Sequence, residues 1–210
     1  ARAARHQAGA AQLLEELAEL DGGQTTFSSQ KMTWSVPISS LLRLSAPRRA
    51  NLLRHWLHSQ RAPLPSAAVL ERIDCDVLQA AADAEPLVCW GGVRLRRYRD
   101  RLYLDDVLEK DDPSRCLDWR MDQALRLTGG VLSAIRAHGE GVALRHLDDG
   151  TVQVRFRRGG ETLQPAGRRE HHSLKHLFQE SGVPPWERAR VPLIYRGDEL
   201  LAVAGYWVCA

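Results

Sequence analysis

Leucines recur every three to four residues along 3–20, where Leu13, Leu14, Leu17 and Leu20 mark one face of a helix that Asp21-Gly22-Gly23 ends. Trp34, Val36 and Ile38 then alternate. They lead into a helix with Ser45 as N-cap, Pro47 in the first turn, and Leu53, Trp56 and Leu57 facing inward. A second helix starts at Pro65-Ser66, carries Val69, Leu70, Ile73, Val77, Leu78 and Ala81 at helical spacing, and stops at Glu85-Pro86.

The apolar period then falls to two. Residues 87–90, a Gly91-Gly92 turn, 93–99, an Asp100-Arg101 turn and 102–104 predict a three-stranded antiparallel meander. Residues 109–122 are acidic and break the alternation, which suits a connection. Beyond it, 142–147, an Asp148-Asp149-Gly150 turn and 151–157 predict a hairpin with Val152, Val154 and Phe156 on one face. A glycine-rich loop, a helix over 170–180 capped by Gly182, and a hairpin around Arg196-Gly197-Asp198 complete the pattern. The expected fold is α+β. It comprises a connecting helix (1–30), a helical middle domain with a small β-meander (31–110), a linker (111–131), and a small α/β domain of hairpins and one helix (132–210).

At 210 residues the chain can bury one core or two small ones. Its 44% hydrophobic and 26% charged residues are those of a soluble globular protein, and no apolar run approaches the ~20 residues of a membrane span. No basic leader with an apolar core opens the sequence. Cys75, Cys89, Cys116 and Cys209 are widely spaced without a CxxC pair, and most sit in apolar or helical contexts that suit reduced thiols, so a cytoplasmic location is expected. Net charge is only +3, yet 26 of the 29 basic residues are arginine. The planar guanidinium fork grips phosphate, although a GC-rich genome produces the same bias.

The strand 93–99 is the most basic stretch, with Arg94, Arg96 and Tyr98 on one face and Arg97 and Arg99 crowding the same site. Like charges two apart on a strand repel, so either a phosphate backbone relieves them or the strand is a solvated, charge-protected edge. Arg48 and Arg49 fall in the first turn of a helix, where the macrodipole is unfavourable to cations. A bound phosphate or a neighbouring carboxylate would offset that. In the last domain Arg155, Arg157 and Arg158, the Arg168-Arg169 pair and Lys175 form a second candidate patch, diluted by Glu161, Glu170 and Glu180. His172 and His176, four apart on a predicted helix, have a spacing compatible with zinc, but no accompanying Glu or cysteine pair supports a metal. His58 and His138 have no partners that would make them bases. There is no phosphate-loop, dinucleotide or nucleophile-elbow motif, and no catalytic constellation emerges.

Three blocks carry a family resemblance: 47–57 (PRRANLLRHWL), 93–104 (VRLRRYRDRLYL), and the region from Leu174-Lys175-His176-Leu177-Phe178 through Val183-Pro184-Pro185-Trp186-Glu187-Arg188 and Val191-Pro192-Leu193-Ile194 to Val208. In order and spacing they resemble the tRNA(Ile)-lysidine synthetase family. The leading helix is similar to the segment that joins the family's catalytic domain to its substrate-recognition domain. That catalytic PP-loop domain, with an S-G-G-x-D-S motif absent here, uses ATP to adenylate the wobble cytidine of tRNA(Ile) and joins lysine to it. The resemblance implies that this chain is the tRNA-recognition portion. Its partners would be tRNA(Ile) and the PP-loop domain of the same protein, without DNA or membrane, and ATP and magnesium would belong to the catalytic domain rather than to this segment. The implied tRNA-binding residues are Arg48, Arg49, Arg54, Arg94, Arg96 and Arg97 in the middle domain, and Arg155, Arg157, Lys175, Arg188 and Arg190 in the last. Arg188 could equally brace the proline corner. The alternative is a non-catalytic module that docks on a partner subunit through an apolar patch around Trp186, Tyr206 and Trp207. A metal-dependent hydrolase using His172 and His176 is a third option.

Overall fold

The computed structural model describes residues 2–23, 28–30, 33–81, 84–106, 112, 114–139, 141–143 and 151–209. They are α+β and divide into two units, 1–107 and 108–210.

In the first unit, helix α1 (Arg2–Gly23) and a short strand β1 (Ser28–Gln30) precede β2 (Thr33–Pro37) and the one-turn helix α2 (Ile38–Leu42). Asp100 anchors the start of α2: its carbonyl accepts from Ile38 N, and its carboxylate accepts from Ser39 N at 3.1 Å and Ser39 Oγ at 2.6 Å. These bonds satisfy amides that a helix start leaves without internal partners. Helix α3 (Ala46–Ser59) buries Leu52, Leu53, Trp56 and Leu57, the inward face its spacing predicted together with Leu52. Helix α4 (Ala67–Arg72) starts where Ser66 Oγ accepts from Val69 N at 3.3 Å, then widens into a π-helical turn over 73–78. The widening brings Ile73, Val77 and Leu78 to the core together.

Strands β3 (Leu87–Trp90), β4 (Val93–Tyr98) and β5 (Arg101–Asp106) form the expected meander. β2 and β1 extend it to an antiparallel sheet of order β1-β2-β5-β4-β3. Gly91 and Gly92 both have positive φ (52° and 85°), as the tight β3–β4 hairpin needs, and a Cβ on Gly91 would lie 2.9 Å from Pro63 Cβ. Val88, Leu95 and Leu102 meet the helices in one core.

The acidic connection expected over 111–131 is in part structured. β6 (Cys116–Arg120) pairs with β9 (Thr151–Arg155), and β7 (Leu125–Leu127) and β8 (Gly130–Leu132) form a small hairpin. Leu117 and Trp119 alternate with Asp118 and Arg120, a strand period hidden among charged neighbours. Of the hairpin expected from 142 onward, the arm and turn over 144–150 lie outside the described residues. Strands β12 (Leu193–Arg196), β13 (Glu199–Val203) and β14 (Trp207–Val208) complete a second sheet, β14-β13-β12-β9-β6.

The second sheet is apolar on both faces. Leu193, Leu200 and Val203 pack with the helix α5 (Leu174–Glu180), whereas Ile194, Leu201 and Ala202 pack with Val152, Val154 and Trp119, beside Leu125 and Leu132 of the small hairpin. α5 is shorter than the helix expected over 170–180. His172 and Ser173 form the strand β11, paired with β10 (Thr162–Leu163), and Ser173 Oγ then accepts from His176 N to cap the helix. At its other end Gly182 (φ 68°) allows Val183 N to reach back to Phe178 O at 2.9 Å. A single turn, α6 (Pro185–Arg188), follows the proline corner.

Phe178 is fully buried, with Tyr206 and Trp207 ring centroids at 5.5 and 5.3 Å. Phe178→Ala should lower the stability of the second unit by about 3–5 kcal/mol, read as a shift in its urea unfolding midpoint. A loss below about 1 kcal/mol would mean that this aromatic cluster is not the centre of the core.

Candidate nucleic-acid interface

An arginine can meet a phosphate only with the donors that its own fold leaves over. In the first unit Asp21, Asp74 and Asp105 claim the guanidinium groups of candidate residues. Asp21, almost fully buried at the end of α1, takes Nε and Nη2 of Arg48 in a bidentate pair. That hydrogen bond, and then the carboxylate charge, holds the Arg48 pKa above its ordinary value, and the head of Arg48 stays about half exposed. Asp74 takes Arg49, with Nε 2.6 Å from Oδ1, while Arg49 Nη1 donates to Leu44 O at 3.1 Å. The unfavourable placement of these cations in the first turn of α3 is thus offset by neighbouring carboxylates.

Asp105 is 1% exposed and opposite Arg94 in the β4–β5 register. Arg94 Nη2 lies 3.1 Å and Arg96 Nε 3.7 Å from the same Asp105 oxygen. Two guanidiniums thus converge on one buried carboxylate. Both side chains are 24% exposed.

Arg97 does not share that face. It points to the helical side, where Nη1 donates to Val77 O, Leu78 O and Ala80 O at 3.3, 3.1 and 2.7 Å. These are carbonyls at the end of the α4 segment, where orphan acceptors and the negative pole of the helix meet. Arg99 is in the β4–β5 turn with φ 54°, its guanidinium 5.3 Å from the Tyr98 ring centre.

The second unit uses its arginines in the same way. Arg155 lies over the Tyr195 ring at 4.6 Å and donates to Gly197 O at 2.7 Å, and Arg157 Nε is 3.6 Å from Glu161. Arg188 is buried and donates from Nε to Val183 O at 2.8 Å. It braces the proline corner and is removed from the set of surface cations. Arg190 is half-buried, with its amide donating to Glu187 O. Arg54 and Lys175 are exposed and have no intramolecular side-chain partner among the described residues.

Other candidates fall out differently. Cys75, Cys89 and Cys116 are exposed rather than packed, and all four thiols are free. Trp186, Tyr206 and Trp207 are half-buried, and the last two pack on Phe178, so they do not form an open apolar patch. The His172 and His176 rings stack with centroids 6.3 Å apart and planes at 24°. A groove of about 410 Å³ between α3 and α4 is lined by Leu53, Leu70, Arg54, Glu71 and Cys75. No helix among the described residues is long and apolar enough to cross a membrane. The sequence reading missed Asp21, Asp74 and Asp105. Asp105 was recoverable from the hairpin register, but the other two required tertiary contacts.

Comparison with known proteins gives matches for both units. Residues 37–103 match the family model described as TilS substrate binding domain, and residues 152–210 match TilS substrate C-terminal domain. A tRNA(Ile)-lysidine synthase of Coxiella burnetii is 41% identical over 209 residues, covering 99% of this chain and 45% of that protein. The corresponding proteins of Methylococcus capsulatus and Proteus mirabilis are 38% and 35% identical, with 97% and 93% of this chain covered. The chain spans about 45% of the length of these relatives.

Asp105→Ala leaves Arg94 and Arg96 facing each other without their shared anion. It should cost the first unit about 3 kcal/mol in urea unfolding. Arg54→Gln should change stability by less than ~0.5 kcal/mol. Equal effects of the two substitutions would contradict the division between bracing and surface arginines.

Proposed function

The chain belongs to the tRNA(Ile)-lysidine synthase family and carries its substrate-binding and C-terminal domains, and from that premise we propose that it is the tRNA-recognition portion of a cytoplasmic, ATP-dependent ligase. Its ligand is tRNA(Ile). The ATP, the magnesium and the joining of lysine to the wobble cytidine belong to the remaining part of the parent protein, a PP-loop domain that works on the anticodon while this portion holds the tRNA. The observation that carries the reading is that both units match domains named for the substrate of this family.

The distribution of charge supports the same conclusion. Duplex RNA hides its base edges in a deep, narrow groove, so recognition relies on phosphates and shape. Such contacts need cations on a rigid frame rather than a pocket. Arg54 on α3 and Lys175 on α5 are exposed members of the proposed contact set without an intramolecular side-chain partner among the described residues. Arg48, Arg94 and Arg96 present partly exposed guanidiniums whose positions are fixed by Asp21 and Asp105. Arg49, Arg97, Arg155, Arg157 and Arg190 act at most through donors not used internally, and Arg188 is left out.

Filter binding of tRNA(Ile) at several salt concentrations should give an affinity that falls steeply with ionic strength. Arg54→Gln and Lys175→Gln should each weaken binding and reduce the slope of log K against log salt by ~1. Arg188→Met should alter stability and not the slope. Binding that is absent or insensitive to salt would overturn the proposal.

A further inference from the structure

Between the two matched stretches, 37–103 and 152–210, the chain carries an arm that neither family domain covers. It consists of the hairpin β7–β8 and the residues on either side, 123–139. This stretch contains no aspartate or glutamate, although the chain has 26 of them in 210 residues. Its two arginines, Arg126 and Arg136, are exposed and have no intramolecular side-chain partner among the described residues.

The base of the arm is fixed. The buried Trp119 donates from Nε1 to Gln123 O at 2.7 Å. Leu125 and Leu132, opposite each other in the hairpin register, pack on the core around Val152, Val154 and Ile194. Period-2 geometry sends the next pair, Arg126 and Val131, to the other face. That face is open: Val131 is 64% exposed, and a Cβ on Gly130 would meet nothing within 4 Å. Farther along, Ile135, next in sequence to Arg136, is 89% exposed. Nearby carboxylates leave the arm positive. Asp122, at its start, is held by Arg120 at 3.0 Å, and the side chains packed against Leu125 and Leu132 are apolar.

We propose that this arm is an RNA-binding element that takes unpaired nucleotides of the tRNA. The proposal rests on the tRNA-recognition reading and adds to it a site outside its contact set. Arg126 and Arg136 meet backbone phosphates, and Val131 and Ile135 pack on base faces. A duplex keeps its base faces stacked and hidden, so apolar side chains gain from RNA only where bases are unpaired. A protein partner would call for one continuous apolar patch. Here apolar and cationic groups alternate along the chain, as bases and phosphates do along a single strand. The cations need not converge, because a polyanion offers a phosphate to each in turn.

The test measures binding of the whole 210-residue chain to tRNA(Ile), to oligouridine and to a fully paired RNA duplex, each over a range of salt. Arg126→Gln with Arg136→Gln should weaken tRNA(Ile) binding and lower the slope of log K against log salt by ~2. Val131→Ser with Ile135→Ser should weaken tRNA(Ile) and oligouridine about fivefold, leaving the slope and the duplex affinity unchanged. All four positions are exposed, so the urea midpoints of both variants should match wild type. Wild-type affinity and slope in the glutamine variant overturn the arm and leave the tRNA reading standing. So does a serine variant with wild-type affinity, or one weakened equally on duplex and single strand. Arm-dependent binding of oligouridine without binding of tRNA(Ile) overturns the tRNA reading and keeps the arm, and binding of neither overturns both. Self-association that the variants lose in sedimentation, with RNA binding unchanged, makes the arm a protein contact and also overturns the proposal.

Discussion

A carboxylate withdrawn from water must be met by a cation, and in the first unit this requirement decides where much of the arginine goes. Asp21 and Asp105 are almost completely buried. Left alone, each would cost several kcal/mol of desolvation or give up its charge. Arg48 joins Asp21 to α3 and thereby fixes the end of α1, and Arg94 and Arg96 close over Asp105 and fix the outer face of the sheet. The carbonyls at the end of the α4 segment make the same demand, which Arg97 meets. An arginine-rich composition is therefore first of all a set of internal struts.

The struts also prepare a surface. An arginine held by one carboxylate keeps its planar head in a set orientation at little further entropic cost, so its unused donors are already placed when an anion arrives. At Asp105 two guanidiniums are placed in this way by one carboxylate. Free cations such as Arg54 and Lys175 contribute charge without placement. Each unit carries its own mixture of the two kinds.

Much of the architecture was legible in the sequence. The helices over 3–20 and 45–60, the start of the next at Ser66, the meander and the Gly91-Gly92 hairpin follow from period and turn chemistry, because burial on one face forces those periods; that third helix ends at Leu78, short of the expected stop at Glu85-Pro86. The errors were local. Placing the β4–β5 turn at Asp100-Arg101 instead of Arg99-Asp100 keeps every side chain on its face but moves each cross-strand partner by two residues, which hides the pairing of Arg94 with Asp105. The strand Cys116–Arg120 was obscured by the acids around it, and α5 lost its first residues to β11 because Ser173 caps more strongly than the preceding residues extend.

By itself the sequence determined most of the regular elements, the α+β class and the family resemblance, since these depend on neighbours along the chain. The tertiary structure alone decided which cations are struts and which are surface. Asp21 is 27 residues from Arg48, and Asp74 is 25 from Arg49, and no local pattern announces either pair. The charge of an arginine is written in the sequence. Whether that charge is spent inside depends on which carboxylate the fold buries beside it, because desolvation acts on distance in space and not on position in the chain.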